Sequence, residues 1–256
     1  MKDRRSFLRV SAIAGSSLVI AGSGLLLVSC TKADKNEARD EQKGEEKGGE
    51  VTATEDLMRE HGVLRRALLV YAETVPQLRA DPSAVSPDAL QKTAKLFRAF
   101  GEDYHEKKLE EAYIFPAVKN AGGAAAALPD ILVTQHNRGR EITEYILSLT
   151  SSAKLGSANG ESLAQALIGF VRMYEHHAAL EDTIVFPAWK ATLNGEQLDE
   201  MGDKFEEIEQ QQFGKDGYED AVKQIGDIEG TLGFGDLSKF TAPPPPTTQA
   251  QPTVTR

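Results

Sequence analysis

Thiols are almost missing from this chain: Cys30 is the single cysteine among 256 residues. One cysteine permits no intrachain disulfide and no cysteine-built metal site. Tryptophan is also single, histidine occurs only five times, and there is no basic excess, the formal net charge being −10. Lys2, Arg4, Arg5 and Arg9 against Asp3 give residues 1–29 a charge of +3, so the remainder carries −13. That balance argues against nucleic-acid binding and against a basic membrane-docking patch. What is present is a composition 40% hydrophobic and 7% aromatic. Once terminal segments are set aside, that suits one domain with its own core.

The first thirty residues read as an export segment. Asp3-Arg4-Arg5-Ser6-Phe7-Leu8 precedes an apolar run from Val10 to Val28, which closes with Leu27-Val28-Ser29-Cys30. A charged start, an apolar middle and small residues before a cut site describe a signal peptide. The paired arginines resemble the twin-arginine export signal. Leu-Val-Ser-Cys resembles a lipobox, in which Cys30 would be lipidated and become the mature first residue. The alternative is an uncleaved membrane anchor, since the run is about long enough to span a bilayer. Lipidation is preferred because the only cysteine occupies the one position it requires. The expected product is exported and lipid-anchored to a membrane, facing the periplasm or another extracytoplasmic space. Residues 30–53 follow as the lipidated cysteine and a charged, flexible tether that lacks the apolar content to order itself.

Helical periodicity then dominates. The sequence predicts four long helices over about 54–78, 87–119, 129–151 and 161–193, with Thr54 as the first N-cap. Two shorter amphipathic helices within 196–240 are expected to pack on the bundle, and 241–256 is an extended Pro-rich tail. The fold class is therefore all-α, an antiparallel four-helix bundle over 54–195 with one or two short C-terminal helices.

The fourth predicted helix carries the clearest signal. Its inner stripe runs Leu163, Leu167, Phe170, Tyr174, His177, Glu181, Ile184, Ala188, in alternating steps of four and three. An imidazole and a carboxylate thus sit where leucines belong, and a buried ionised carboxylate needs a cation or a hydrogen-bond network. The second helix ends in a weaker copy, seventy-one positions earlier: Glu110-Glu111-Ala-Tyr-Ile-Phe-Pro-Ala117 against Glu181-Asp182-Thr-Ile-Val-Phe-Pro-Ala188. Its stripe reads Leu90, Ala94, Phe97, Gly101, His105 and resumes one residue late at Glu110, Tyr113, Ala117. Continuing at α spacing would bury Lys108, so the extra residue predicts a π-bulge that turns His105 and Glu110 inward together. Glu106 competes with His105, because Glu106 aligns with His177 in the repeat and stands four residues before Glu110. His61 falls on the inner face of the first helix and His136 on that of the third, and neither alone would indicate a site.

Taken together, four helices of bundle length present His61, His105 with Glu110, His136, and His177 with Glu181 at one depth of the core. Mixed imidazole and carboxylate ligands with open positions suit iron, and structural zinc would prefer the thiolates that are absent. Residues of about 54–190 resemble the hemerythrin / HHE cation-binding family, a four-helix bundle holding a non-haem di-iron centre. The resemblance implies His61, His105, Glu110, His136, His177 and Glu181 as ligands, with the two carboxylates bridging the metals. It departs from the family pattern in the second helix, where His-x-x-x-x-Glu replaces His-x-x-x-Glu. Glu106 and His176 are the further candidate ligands, and Glu111 and Asp182 are expected to face outward or to hydrogen-bond a ligand imidazole. Tyr104 and Tyr174 are expected in the core, one turn away. By resemblance, the expected function is binding or sensing of O2, NO or peroxide at di-iron. Turnover of peroxide or NO at the same centre, and iron storage or donation, are the alternatives. No protein partner is indicated.

Overall fold

The structure, a computed structural model, describes residues 51–152 and 154–246. The export segment, Cys30 and the tether up to residue 50 lie outside the described residues, as does the tail from residue 247. The fold is all-α, and no strand occurs among the described residues.

Helix α1 spans Ala53–Ala80 and presents Leu57, His61, Leu64, Leu68, Tyr71 and Val75 to the core. Its N-cap is Thr52, whose hydroxyl accepts the Glu55 amide at 3.3 Å, two residues ahead of the Thr54 expected. Thr54 is instead buried in the first turn. Helix α2 runs through three continuous pieces: α-helical Pro87–Leu96, π-helical Phe97–Ile114 and α-helical Phe115–Ala121. Helix α3 is Pro129–Thr150, burying Leu132, His136, Gly139, Thr143 and Ile146 along one face. Helix α4 is again composite, α-helical over Gly160–Leu180, π-helical over Glu181–Val185 and α-helical over Phe186–Lys190.

The π-helical stretches correct the sequence pattern. In α2 the expected single bulge is an eighteen-residue π stretch, and beyond Glu110 the buried set is Ile114, Phe115 and Val118, with Tyr113 and Ala117 half-buried. In α4 the stripe likewise moves on by one residue: Val185, Phe186 and Trp189 are buried, whereas Ile184 is 40% exposed. Each π turn holds i to i+5 hydrogen bonds, so it advances the buried face by an extra residue. The Phe115 amide reaches Glu110 O and the Phe186 amide reaches Glu181 O, the same bond in both copies of the repeat.

Within the four-helix bundle α1 packs chiefly on α4, and α2 on α3. Two more helices, α5 (Gly195–Phe213) and α6 (Gly217–Leu232), lie against α1 and α2. A capping box between Asn194 and Gln197 starts α5, and its Phe205 stacks on Trp189 at 5.7 Å. No helix among the described residues is long and apolar enough to cross a membrane.

Leu167 is completely buried at the middle of α4. Leu167→Ala is expected to cost about 2–5 kcal/mol, as large-to-small changes in a close-packed core do. Chemical denaturation should show a lowered midpoint at unchanged slope, and a midpoint equal to the wild type would contradict this account of the core.

Candidate metal centre

The π-helical turn in α2 has a direct consequence at the core. It places His105 and Glu110, five residues apart, on one face, with Nε2 and Oε1 separated by 3.2 Å. His177 and Glu181 need no such device, because α4 is α-helical up to Leu180 and a spacing of four suffices; their Nε2 and Oε1 are 3.1 Å apart. His61 from α1 and His136 from α3 complete the set, and all six side chains are buried.

The geometry divides into two halves. His61 and His105 bring their Nε2 atoms to 3.1 Å, and His136 and His177 bring theirs to 3.0 Å. In each pair the ring centroids are 4.8 Å apart at 49°. Glu110 reaches both halves, Oε1 toward His105 and Oε2 toward His136 at 3.4 Å. Glu181 does the same, Oε1 toward His177 and Oε2 toward His61 at 3.5 Å. All four of these carboxylate oxygens are buried without a hydrogen-bond partner. Buried polar atoms are otherwise nearly always satisfied, so four orphaned oxygens in one cluster call for a missing positive group.

The outer ring nitrogens settle which atom faces inward. His61 Nδ1 meets Asp182 Oδ1 at 2.7 Å, His105 Nδ1 meets Glu60 Oε2 at 2.7 Å, and His136 Nδ1 meets Glu111 Oε1 at 2.8 Å. His177 Nδ1 meets the amide oxygen of Gln135 at 2.9 Å. These oxygens accept, so each Nδ1–H donates, and the neutral ring turns the Nε2 lone pair inward. Two such lone pairs at 3.0–3.1 Å repel unless a proton on one ring or a cation lies between them. The donor set therefore fits cations, one for each imidazole pair with the carboxylates shared.

Electrostatics agree. Burial disfavours charge on His105, but Glu110 and Glu60 outweigh it and hold the imidazole well above its ordinary range. His136 is likewise disfavoured by burial yet raised to about 10 by Glu106, Glu110 and Glu111. Burial followed by the His136 charge pushes His177 down to about 3. Burial works to raise Glu110, but His105 and His136 hold it well below the carboxylate range. Glu181 is pushed well above that range by burial and by Glu110. Without a cation, two carboxylates at this spacing do not both ionise.

His176 is exposed on α4 and takes no part in the cluster. The repeat aligns it with His105, but the π turn between His105 and Glu110 shifts the register, so His177 is the true counterpart. Glu106 is buried, but it accepts the Tyr174 hydroxyl at 2.7 Å and Arg140 at 3.0 Å, standing behind His136 at 3.9 Å from Nδ1. It does not join the shared carboxylates. Glu111 and Asp182 turn inward as partners of ring nitrogens, and each also holds an arginine, Arg140 and Arg65. The sequence reading missed Glu60, Gln135, Arg65 and Arg140. Adjacency was the available signal: Glu60 precedes His61 and Gln135 precedes His136, and each serves a histidine of the neighbouring helix.

These features define a helical-bundle protein with a buried imidazole and carboxylate cation site. The chain belongs to the hemerythrin HHE cation binding domain family, whose model matches residues 52–189. It is similar, at 43% identity over 192 residues, to an uncharacterized protein of Mycobacterium tuberculosis and to one of Mycobacterium bovis. Those residues are 75% of this chain and 74% of each relative. No solved structure matches the chain.

Removing the acceptor behind a ligand imidazole weakens metal binding about 10–100-fold in comparable sites. Glu60→Gln and Asp182→Asn are expected to lower metal affinity by that order, whereas Glu102→Gln, bonded to Thr143 rather than to a ligand ring, leaves it within a few-fold. Competition with a calibrated chelator measures all three; equal affinities throughout would remove the role assigned to Glu60 and Asp182.

Proposed function

We propose that this chain holds two iron ions in a non-haem centre and binds or senses a small ligand such as O2, NO or peroxide there. The observation that carries the reading is the division of the site: Glu110 and Glu181 each send one oxygen to the His61–His105 pair and the other to the His136–His177 pair. Each pair with its two oxygens makes four ligands of mixed type, fewer than six-coordinate iron takes. When bound, iron would supply open coordination positions and a change of oxidation state.

The protein's own part is placement and exclusion. Glu60, Asp182, Glu111 and Gln135 fix the imidazole tautomers. Phe186 stacks on His61 at 5.3 Å and Phe115 on His136 at 5.5 Å, shielding each half. A cavity of about 10 Å³ coincides with the cluster: His61, His105, Glu110, His177 and Glu181 line it, with Leu64, Leu68, Phe97 and Tyr174 around them. So small and enclosed a space, about one water-sized sphere, favours a small ligand over an organic substrate. Exported lipid anchoring through Cys30 is part of the same proposal and rests on the sequence alone, on the paired arginines and the Leu-Val-Ser-Cys end of the apolar run.

Iron reconstitution should give about two irons per chain. His105→Ala should lower this to about one, whereas Glu110→Ala or Glu181→Ala should lose both, because each carboxylate serves both pairs. A wild type that folds and binds no iron would end the proposal. Affinity should fall as pH falls: without metal, His105, His136 and Glu181 retain protons near neutrality, and a cation must displace them. Spectra regenerated by removing O2 without a reductant would identify reversible binding, and consumption of peroxide or NO over many turnovers would identify an enzyme.

The anchor has its own test. Mass spectrometry of the membrane fraction should find an acylated N-terminal cysteine, and Cys30→Ala should abolish the modification. An unmodified wild-type Cys30 would reject lipidation.

A further inference from the structure

Helices α5 and α6 lie wholly beyond the family match, which ends at residue 189. They nonetheless touch the metal centre at one remove. Phe213, the last residue of α5, packs edge-on against the Tyr104 ring at 5.3 Å and lies 6.2 Å from Phe100. The Tyr104 hydroxyl donates to Glu60 Oε1 at 3.1 Å, and the other oxygen of Glu60 accepts His105 Nδ1–H at 2.7 Å. Tyr104, Glu60 and His105 are all essentially inaccessible to solvent.

The turn between the two helices is shaped to keep that ring in place. Gly214 closes α5 in the left-handed region at φ 66°, where a side chain is disfavoured. Gly217 opens α6, and a Cβ there would stand 2.3 Å from the Phe213 ring. Tyr218 N–H, one residue on, donates to buried Glu209 of α5 at 2.7 Å, locking the two helices to each other.

We propose that the C-terminal extension positions His105 through Phe213, Tyr104 and Glu60, so that the state of α5 and α6 sets the properties of one half of the centre. The metal consequence rests on the function proposed above; the positioning itself does not. Phe213 is a positioning residue: it fixes the Tyr104 ring, the ring directs its hydroxyl to Glu60, and Glu60 is thereby held as acceptor to Nδ1. The other half is held differently: His177 leans on Gln135 and His136 on Glu111, and the extension meets α4 at Trp189 and α2 at Tyr113, both through Phe205. A change in the extension, by contact with another molecule or by substitution, is therefore felt at His105 first.

The test uses the full chain labelled with 15N at histidine, without metal and again loaded with diamagnetic zinc. Phe213→Ala, Gly217→Ala and Tyr104→Phe should each move the His105 ring nitrogen signals and leave those of His177 in place, while Phe213→Tyr restores the wild-type position. Phe205→Ala is the control: it loses the Trp189 stack and the Tyr113 edge contact and costs stability, but should leave His105 unmoved. In the zinc-loaded chain the first three variants should weaken one metal of the pair by up to about 10-fold. Folded Phe213→Ala and Gly217→Ala with unmoved His105 signals would overturn the proposal, as would an equal shift from Phe205→Ala. Failure of the wild type to bind metal would count against the function proposed above and leave the nitrogen signals to decide the positioning.

Discussion

Two carboxylates shut away from water, each with one oxygen committed to either imidazole pair, are the constraint around which this protein is arranged. Glu110 and Glu181 have no protein hydrogen-bond donor on any of their four oxygens. Leaving such groups ionised in a dry core is costly by several kcal/mol per charge, and mutual repulsion raises that cost further. A cation between the imidazoles and carboxylates relieves both terms at once while leaving both carboxylates ionised. Everything near the cluster serves that arrangement: acceptors on the outer ring nitrogens, aromatic rings against His61 and His136, and a bundle core that keeps water away.

The centre is built twice. His61, Arg65, His105, Glu110, Glu111 and Phe115 in the first helix pair have counterparts in His136, Arg140, His177, Glu181, Asp182 and Phe186 of the second. Each half lends its outer acceptor to the other: Asp182 of α4 holds His61 of α1, and Glu111 of α2 holds His136 of α3. The halves therefore assemble only together, which ties the site to the whole bundle rather than to one helix. Symmetry fails in specific places. Glu60 behind His105 is matched by neutral Gln135 behind His177. Gly139 leaves room for the Tyr174 hydroxyl, which a Cβ there would meet at 1.9 Å. Leu64, the counterpart of Gly139, lines the cavity together with Tyr174, so the two halves of the cluster have unlike surroundings.

Much of the fold and the six central residues could be read from the sequence because they obey local rules. Helical periodicity marks a buried stripe irrespective of partner, and a histidine or glutamate on such a stripe is conspicuous. The five-residue spacing from His105 to Glu110 was legible for the same reason, since α spacing would have buried Lys108, which is in fact exposed. The long extent of the π-helical stretch in α2, and the second one in α4, left no comparable trace. Ile184 and Val185 are both apolar, so the sequence offers no objection to either facing inward.

The sequence by itself determined the fold class, the inner faces of α1 and α3 and those of α2 and α4 up to Glu110 and Glu181, because helix period and the cost of burying charge act within one segment. It paired His177 with Glu181 and kept His176 only as a further candidate, but it did not decide Glu106 against His105, because the repeat's alignment and the helix's register disagree by one residue. Tertiary structure brings His105 to 3.2 Å from Glu110 and His177 to 3.1 Å from Glu181. It alone showed Glu60 and Gln135 reaching across to neighbouring helices, and Phe213 reaching Tyr104 from 109 positions away. Such contacts follow from how helices pack, and packing is a property of the assembled bundle that no single segment encodes.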